Sequence, residues 1–173
     1  MKTQSAEQIG VCSWSLQATG PRDLADKVNA LGLKRVQLGL TPHRDDPGAW
    51  EGVQDILAES GLVIVSGMFS TVGEDYLTPE TIRRTGGVVP DAHWDENRRL
   101  AKEAASTAEA MGLKLVSTHA GFLPHDPAHP DFEKLCGRVA ELARLFADSG
   151  CNLLLETGQE TAETLQALSL IHI

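Results

Sequence analysis

The sequence is poor in the features that mark several protein classes. Only three of its 173 residues are cysteines. Cys12, Cys136 and Cys151 lie far apart with no CxxC pair, which argues against a disulfide framework and for reduced core thiols in a cytoplasmic protein. No apolar run approaches the roughly 20 residues of a membrane span, and the N-terminal MKTQSAEQ lacks an apolar core, so a soluble, unprocessed protein without a membrane partner is expected. Positive charge is also scarce. Fifteen Lys and Arg against 24 Asp and Glu leave a net charge of −9, and an acidic surface repels phosphate backbones, so nucleic acid is not an expected partner. There is no GxGxxG or GxxxxGK[ST] to cradle a phosphate, no GxSxG nucleophile elbow, and no HxH or HExxH metal spacing.

What is present is a core and a repeat. With 42% hydrophobic residues, the chain can build one substantial core and reads as a single domain. One pattern recurs four times: an amphipathic segment, a glycine, then a short apolar run. The glycines are Gly32, Gly61, Gly112 and Gly150, each placed where a helix must reverse before a buried strand.

Strands are predicted at Ile9–Leu16, Arg35–Leu40, Leu62–Phe69, Leu113–His119 and Asn152–Glu156. Helices are predicted from Gly20 and Pro21, with Leu24, Val28 and Leu31 on one face, and at about Trp50–Ser60, near Trp94, at Phe132–Ser149 and at Glu160–Leu168. Strands alternating with helices mean a parallel sheet covered by helices. Without the phosphate turns of open doubly wound sheets, a (β/α)8 TIM barrel is the preferred closure of the α/β fold.

A full barrel takes about 250 residues, so about five βα units predict an incomplete barrel. The domain, residues 1–173, is then the N-terminal part only. After TAETLQAL the sequence closes on SLIHI with no cap or polar finish. This predicts a gene fragment whose residues from about Ser169 do not belong to the protein.

Chemistry in parallel α/β folds sits at the carboxyl ends of strands, and this singles out a few residues. Glu156 closes the apolar Leu153–Leu155; a buried carboxylate there is costly without a partner or a metal, whereas an exposed one bonds a neighbouring loop. His119 ends strand four in STHAGFLP, placed to ligate a divalent metal, to bond a substrate hydroxyl or to rest on a local carbonyl. Trp14 offers an aromatic face for a sugar ring or simply core. Gln37 lies within strand two, where its amide can bond a substrate oxygen. The long connection after Phe69 carries Tyr76, Arg83 and Arg84, with Gly86 and Gly87 as a hinge. Long loops at the catalytic face commonly act as lids or binding loops. Its arginines either pair with a substrate phosphate or carboxylate or stand solvated on a short surface helix, Pro79–Arg84.

VCSWSLQ at strand one, GEDYLTPETIRRTGGVVPD after strand three, STHAGFLP at strand four and LLLETGQET at strand five together resemble the xylose isomerase-like barrels of sugar phosphate isomerases/epimerases. The resemblance runs to about Leu168. It implies a metal-dependent sugar or sugar phosphate isomerase/epimerase that moves a proton next to a carbonyl through a metal-stabilised enediolate. It implies a divalent ion, Mn or alternatively Mg, Co or Zn, held by four ligands at the ends of strands five to eight. Glu156 matches the first ligand and would double as an acid/base group; His119 resembles a histidine that relatives place near substrate or metal. The other ligands fall beyond residue 173, so the fragment itself is expected to be inactive.

Two rivals remain. An abasic-site endonuclease-like hydrolase of the same fold needs a zinc-binding histidine at strand three, where this chain has Met68, Phe69 and Ser70. A non-catalytic barrel fragment would self-associate as a homo-oligomer through its bare edges and apolar faces.

Overall fold

The computed structural model describes residues 9–124, 126, 128–156, 161–163 and 166. Most of the helix expected at Glu160–Leu168, and the whole tail from Ser169, lie outside the described residues.

Five strands, β1 (Gly10–Cys12), β2 (Arg35–Gly39), β3 (Val63–Met68), β4 (Leu115–His119) and β5 (Asn152–Glu156), form one parallel sheet in the order β1-β2-β3-β4-β5. Strictly sequential order is how a barrel winds; a doubly wound sheet reverses its order at a switch point. The helices are α1 (Pro21–Ala30), α2 (Leu40–Asp45), α3 (Val53–Glu59), α4 (Pro79–Thr85), α5 (Trp94–Ala110) and α6 (Phe132–Asp148). The four glycines at the helix-to-strand joints all adopt positive φ, between 66° and 72°. Each lets a helix turn back into the next strand at low conformational cost.

Strand alternation sorts the side chains into two layers. Val36, Leu38, Val116 and Thr118 are buried, and Val36, Leu38 and Val116 belong to one core with Phe69, Phe146, Leu100, Leu135 and Leu142. The rings of Phe69 and Phe146 meet at 6.4 Å. On the opposite face Val63, Leu115 and Leu154 are 59%, 37% and 43% exposed. They line the inside of a barrel that the five described strands leave open.

Three details depart from the sequence expectation. The first strand ends at Cys12, and Ser13–Leu16 form a 3-10 turn closed by Gln17 at φ 49°. Ser13 there is buried and its hydroxyl accepts the Gly39 N–H, which ties the turn to the end of β2. Leu40 begins α2 rather than ending a strand. Leu31, expected on the buried face of α1, is its C-cap and more than half exposed.

The connection from β3 to α5 is fastened down. The Thr78 and Thr81 side chains form a capping box that starts α4, satisfying otherwise orphaned amide donors. Buried Asn97 accepts the Val72 N–H at 2.8 Å. Val88 donates its N–H to the Ala120 carbonyl at 3.0 Å. Arg138 donates to the carbonyls of Val88 and Val89, pairs with Asp91 and lies over the Trp94 ring. Gly87 sits at φ +61°, and a Cβ there would run into the Ala120 carbonyl and the Gly121 nitrogen. Only glycine fits both the conformation and the space.

Candidate functional site

The parallel register puts the carboxyl ends of β4 and β5 side by side, with His119 paired to Glu156. Neighbouring strands lie about 4.8 Å apart, so an imidazole and a carboxylate stand together at the mouth of the barrel. One layer deeper a polar ladder crosses four strands. Cys12 donates its thiol to Gln37 Oε1 at 3.2 Å, Gln37 Nε2 donates to Ser117 Oγ at 2.8 Å, and Ser117 donates to the Met68 sulfur at 3.0 Å. Gln37 therefore spends both ends of its amide inside the ladder. Cys12, read from the sequence as core, is only half-buried and belongs to the same ladder. Its thiol is pushed up by burial and then by the charge of Glu156.

The loop after β3 folds over His119. Glu74, with a side chain only 11% exposed, brings Oε1 to 3.6 Å from His119 Nδ1. The same oxygen accepts the Thr71 hydroxyl at 2.8 Å and the Gly87 N–H at 3.0 Å, while Oε2 accepts the Tyr76 hydroxyl at 3.1 Å. Burial acts to raise the Glu74 carboxyl, but His119, Thr71, Gly87 and Tyr76 together hold it below the ordinary carboxylate range. The Tyr76 phenol is pushed up to about 12 by burial, by Glu74 and by the charge of Glu156. Its ring lies tilted 6.4 Å from the His119 imidazole; Phe122 meets that imidazole edge-on, and the Arg83 guanidinium lies 5.4 Å over Phe122.

Of the residues singled out from the sequence, His119, Glu156, Tyr76 and Arg83 thus gather around the ends of β4 and β5. Gln37 lies one layer below them, and Trp14 stands 45% exposed on the 3-10 turn after β1. Arg83 and Arg84 ride on α4, the short helix expected there. The costly burial considered for Glu156 is not found: it is exposed and forms no ion pair among the described residues. The physical reason is that β5 is the edge of the sheet, with no further strand beside it in the described residues.

Glu74, Ser117 and Phe122 were not singled out from the sequence. Glu74 carried a signal, the first of two acidic residues just after Gly73 near the start of a long loop, but no spacing links it to His119. A separate groove of about 390 Å³ between α3 and α5, lined by His43, Gln54, Asp55 and Thr107, belongs to the outer helical layer and receives none of the strand-end residues.

Among the described residues no three His, Cys, Asp or Glu side chains stand together as a metal cage. Exposed and without an ion-pair partner among the described residues, Glu156 has the chemistry of one oxygen ligand for a divalent ion, and the rest of a coordination shell is not formed by the described residues. No helix among the described residues is long and apolar enough to cross a membrane.

Residues 25–171 match the family model of the xylose isomerase-like TIM barrel. No curated protein sequence matches the chain. Among solved structures, a xylose isomerase domain protein from Planctomyces limnophilus is similar over 96% of this chain and 60% of its own, at 24% identity and a TM-score of 0.81. A D-allulose 3-epimerase from Methylomonas sp. is similar over 94% of this chain and 58% of its own, at 16% identity and a TM-score of 0.62. A xylose isomerase-like TIM barrel protein from Mycobacterium smegmatis in complex with magnesium is similar over 87% and 52%, at 18% identity and a TM-score of 0.59. The chain spans 60% or less of the length of each of these three structures. The sequential parallel strands and the family match agree: the chain belongs to the xylose isomerase-like TIM barrel family.

Proposed function

We propose that this chain supplies the β1–β5 side of a metal-dependent sugar or sugar phosphate isomerase/epimerase. The observation that carries the reading is the register pair His119 and Glu156 at adjacent strand ends. Similar folds include an epimerase of a ketose, D-allulose, and one solved with magnesium.

Isomerising or epimerising a sugar means removing a weakly acidic proton next to a carbonyl and returning it elsewhere. Glu156, exposed at the mouth, has the chemistry to take that proton, and His119 beside it has the chemistry to hydrogen-bond a substrate hydroxyl. Exposed aromatic faces at Tyr76 and Trp14 offer surfaces for the apolar side of a sugar ring. Arg83 makes no ion pair among the described residues and is free to meet a phosphate or carboxylate. A divalent ion held in part by Glu156, manganese in the first instance, would supply Lewis-acid stabilisation of the enediolate.

The test is Mn²⁺ titration followed by electron paramagnetic resonance on the full-length protein that carries this chain. Glu156→Gln is expected to weaken binding at least about tenfold, because a neutral amide is a poor substitute for a carboxylate ligand. Equal affinity in the two proteins would remove Glu156 from the metal site.

A further inference from the structure

We propose that Glu74 is a positioning residue for His119: it fixes the imidazole with Nδ1 toward the loop and so turns Nε2 toward the mouth where Glu156 stands. The inference rests on the isomerase/epimerase reading only for what His119 then does with Nε2. Three observations support it independently of that reading.

Glu74 is a nearly buried carboxylate on a loop, a costly placement unless its charge is used. Its two oxygens collect a hydroxyl, a backbone N–H and a phenol, donors that favour the ionised form and fix its orientation. The remaining direction leads to His119 Nδ1 at 3.6 Å, a separation that a shift of a few tenths of an ångström closes to a hydrogen bond. Hydrogen bonds of this kind are often long before substrate arrives and tighten in the complex.

An ionised carboxylate accepts and does not donate, so facing Nδ1 it selects the tautomer that carries its proton there. That leaves Nε2 as the acceptor. Tyr76 and Phe122 restrict the ring from two sides, so the imidazole has little room to turn over. The carboxylate itself is held by Thr71 and by Gly87, whose tight fit against Ala120 anchors the loop. Loop and strand end are thereby joined into one unit.

The experiment is a long-range ¹H–¹⁵N correlation spectrum of ¹⁵N-histidine-labelled protein at mildly alkaline pH, with the His119 signals assigned by their loss in His119→Asn. The wild type is expected to carry its proton on Nδ1. Glu74→Ala should move His119 toward the Nε2-protonated form, and Glu74→Gln, which keeps the shape of the loop, should give a mixture. Thr71→Val, which loosens Glu74 without removing its charge, should shift the tautomer less than either Glu74 variant. An Nε2-protonated wild type, or an unchanged tautomer in Glu74→Gln, overturns the proposal even where Glu74→Ala fails to fold.

In the active full-length protein Glu74→Gln should lower kcat about 10- to 100-fold with KM nearly constant. A shifted tautomer with unchanged kcat, in an enzyme that His119→Asn inactivates, also overturns it. If His119→Asn is equally without effect, the isomerase role given to His119 falls with it.

Discussion

The ends of β4 and β5 are register partners, yet they occupy opposite environments. His119 lies beneath a loop that supplies Glu74, Tyr76 and, by way of Arg83, a cation over neighbouring Phe122. Glu156, one strand away, is exposed. Being register partners does not give two strand ends the same burial: His119 has a strand on either side and a loop over it, whereas Glu156 closes the edge strand of the described sheet. The difference also sorts their chemistry. The enclosed group meets a carboxylate and two aromatic rings, whereas the open carboxylate forms no ion pair among the described residues and its charge is felt by Cys12 and Tyr76.

Several substitutions act on the two environments unequally. The largest effect is expected from Gly87→Ala, which forces a side chain into the Ala120 backbone at a positive φ. Loss of the loop's anchor should cost about 3 kcal/mol or more, read as a lowered denaturant midpoint. Next come neighbours on β4 that face opposite layers. Val116→Ala, in the buried core, should cost about 2 kcal/mol, whereas Leu115→Ala, on the open face, should cost well under half of that. Equal costs in urea titrations would mean that something covers the open face.

Acid sensitivity is a smaller effect. The Glu74 carboxyl is held below its ordinary value of 4.5 in the folded chain, so its contribution to stability is fully present above that value and is lost as pH falls through the lower folded one. Glu74→Gln should therefore flatten the acid side of a stability-versus-pH curve while leaving its neutral-to-alkaline slope alone. The smallest change is expected from Leu154→Thr. With 43% exposure on the open face, it should alter thermal stability by less than about 0.5 kcal/mol and reduce any self-association visible by size-exclusion chromatography.

Much of the fold was legible because it rests on local signals. Glycines before apolar runs placed four helix-to-strand joints, and the missing phosphate turns pointed to a barrel, which the sequential strand order bears out. Boundaries failed where a tertiary bond overrode pattern. Ser13 accepting the Gly39 N–H helps turn an apparent strand into a 3-10 helix, and Leu31 became a cap rather than a core residue. The gathering of His119, Glu156, Tyr76 and Arg83 was partly legible, since each sits at or after a strand end. Glu74 was not, because it lies far from His119 along the chain and only the folding back of the loop joins them. Sequence spacing carries no trace of such a contact.

The central claim is tested most directly by proton exchange. The full-length protein carrying this chain is incubated with Mn²⁺ and a panel of ketoses and ketose phosphates in D₂O, and the carbon next to the carbonyl is followed by NMR. The account predicts metal-dependent deuterium incorporation for at least one sugar, lowered at least about 100-fold in Glu156→Gln. No incorporation with any sugar, or equal rates in the two proteins, would contradict it.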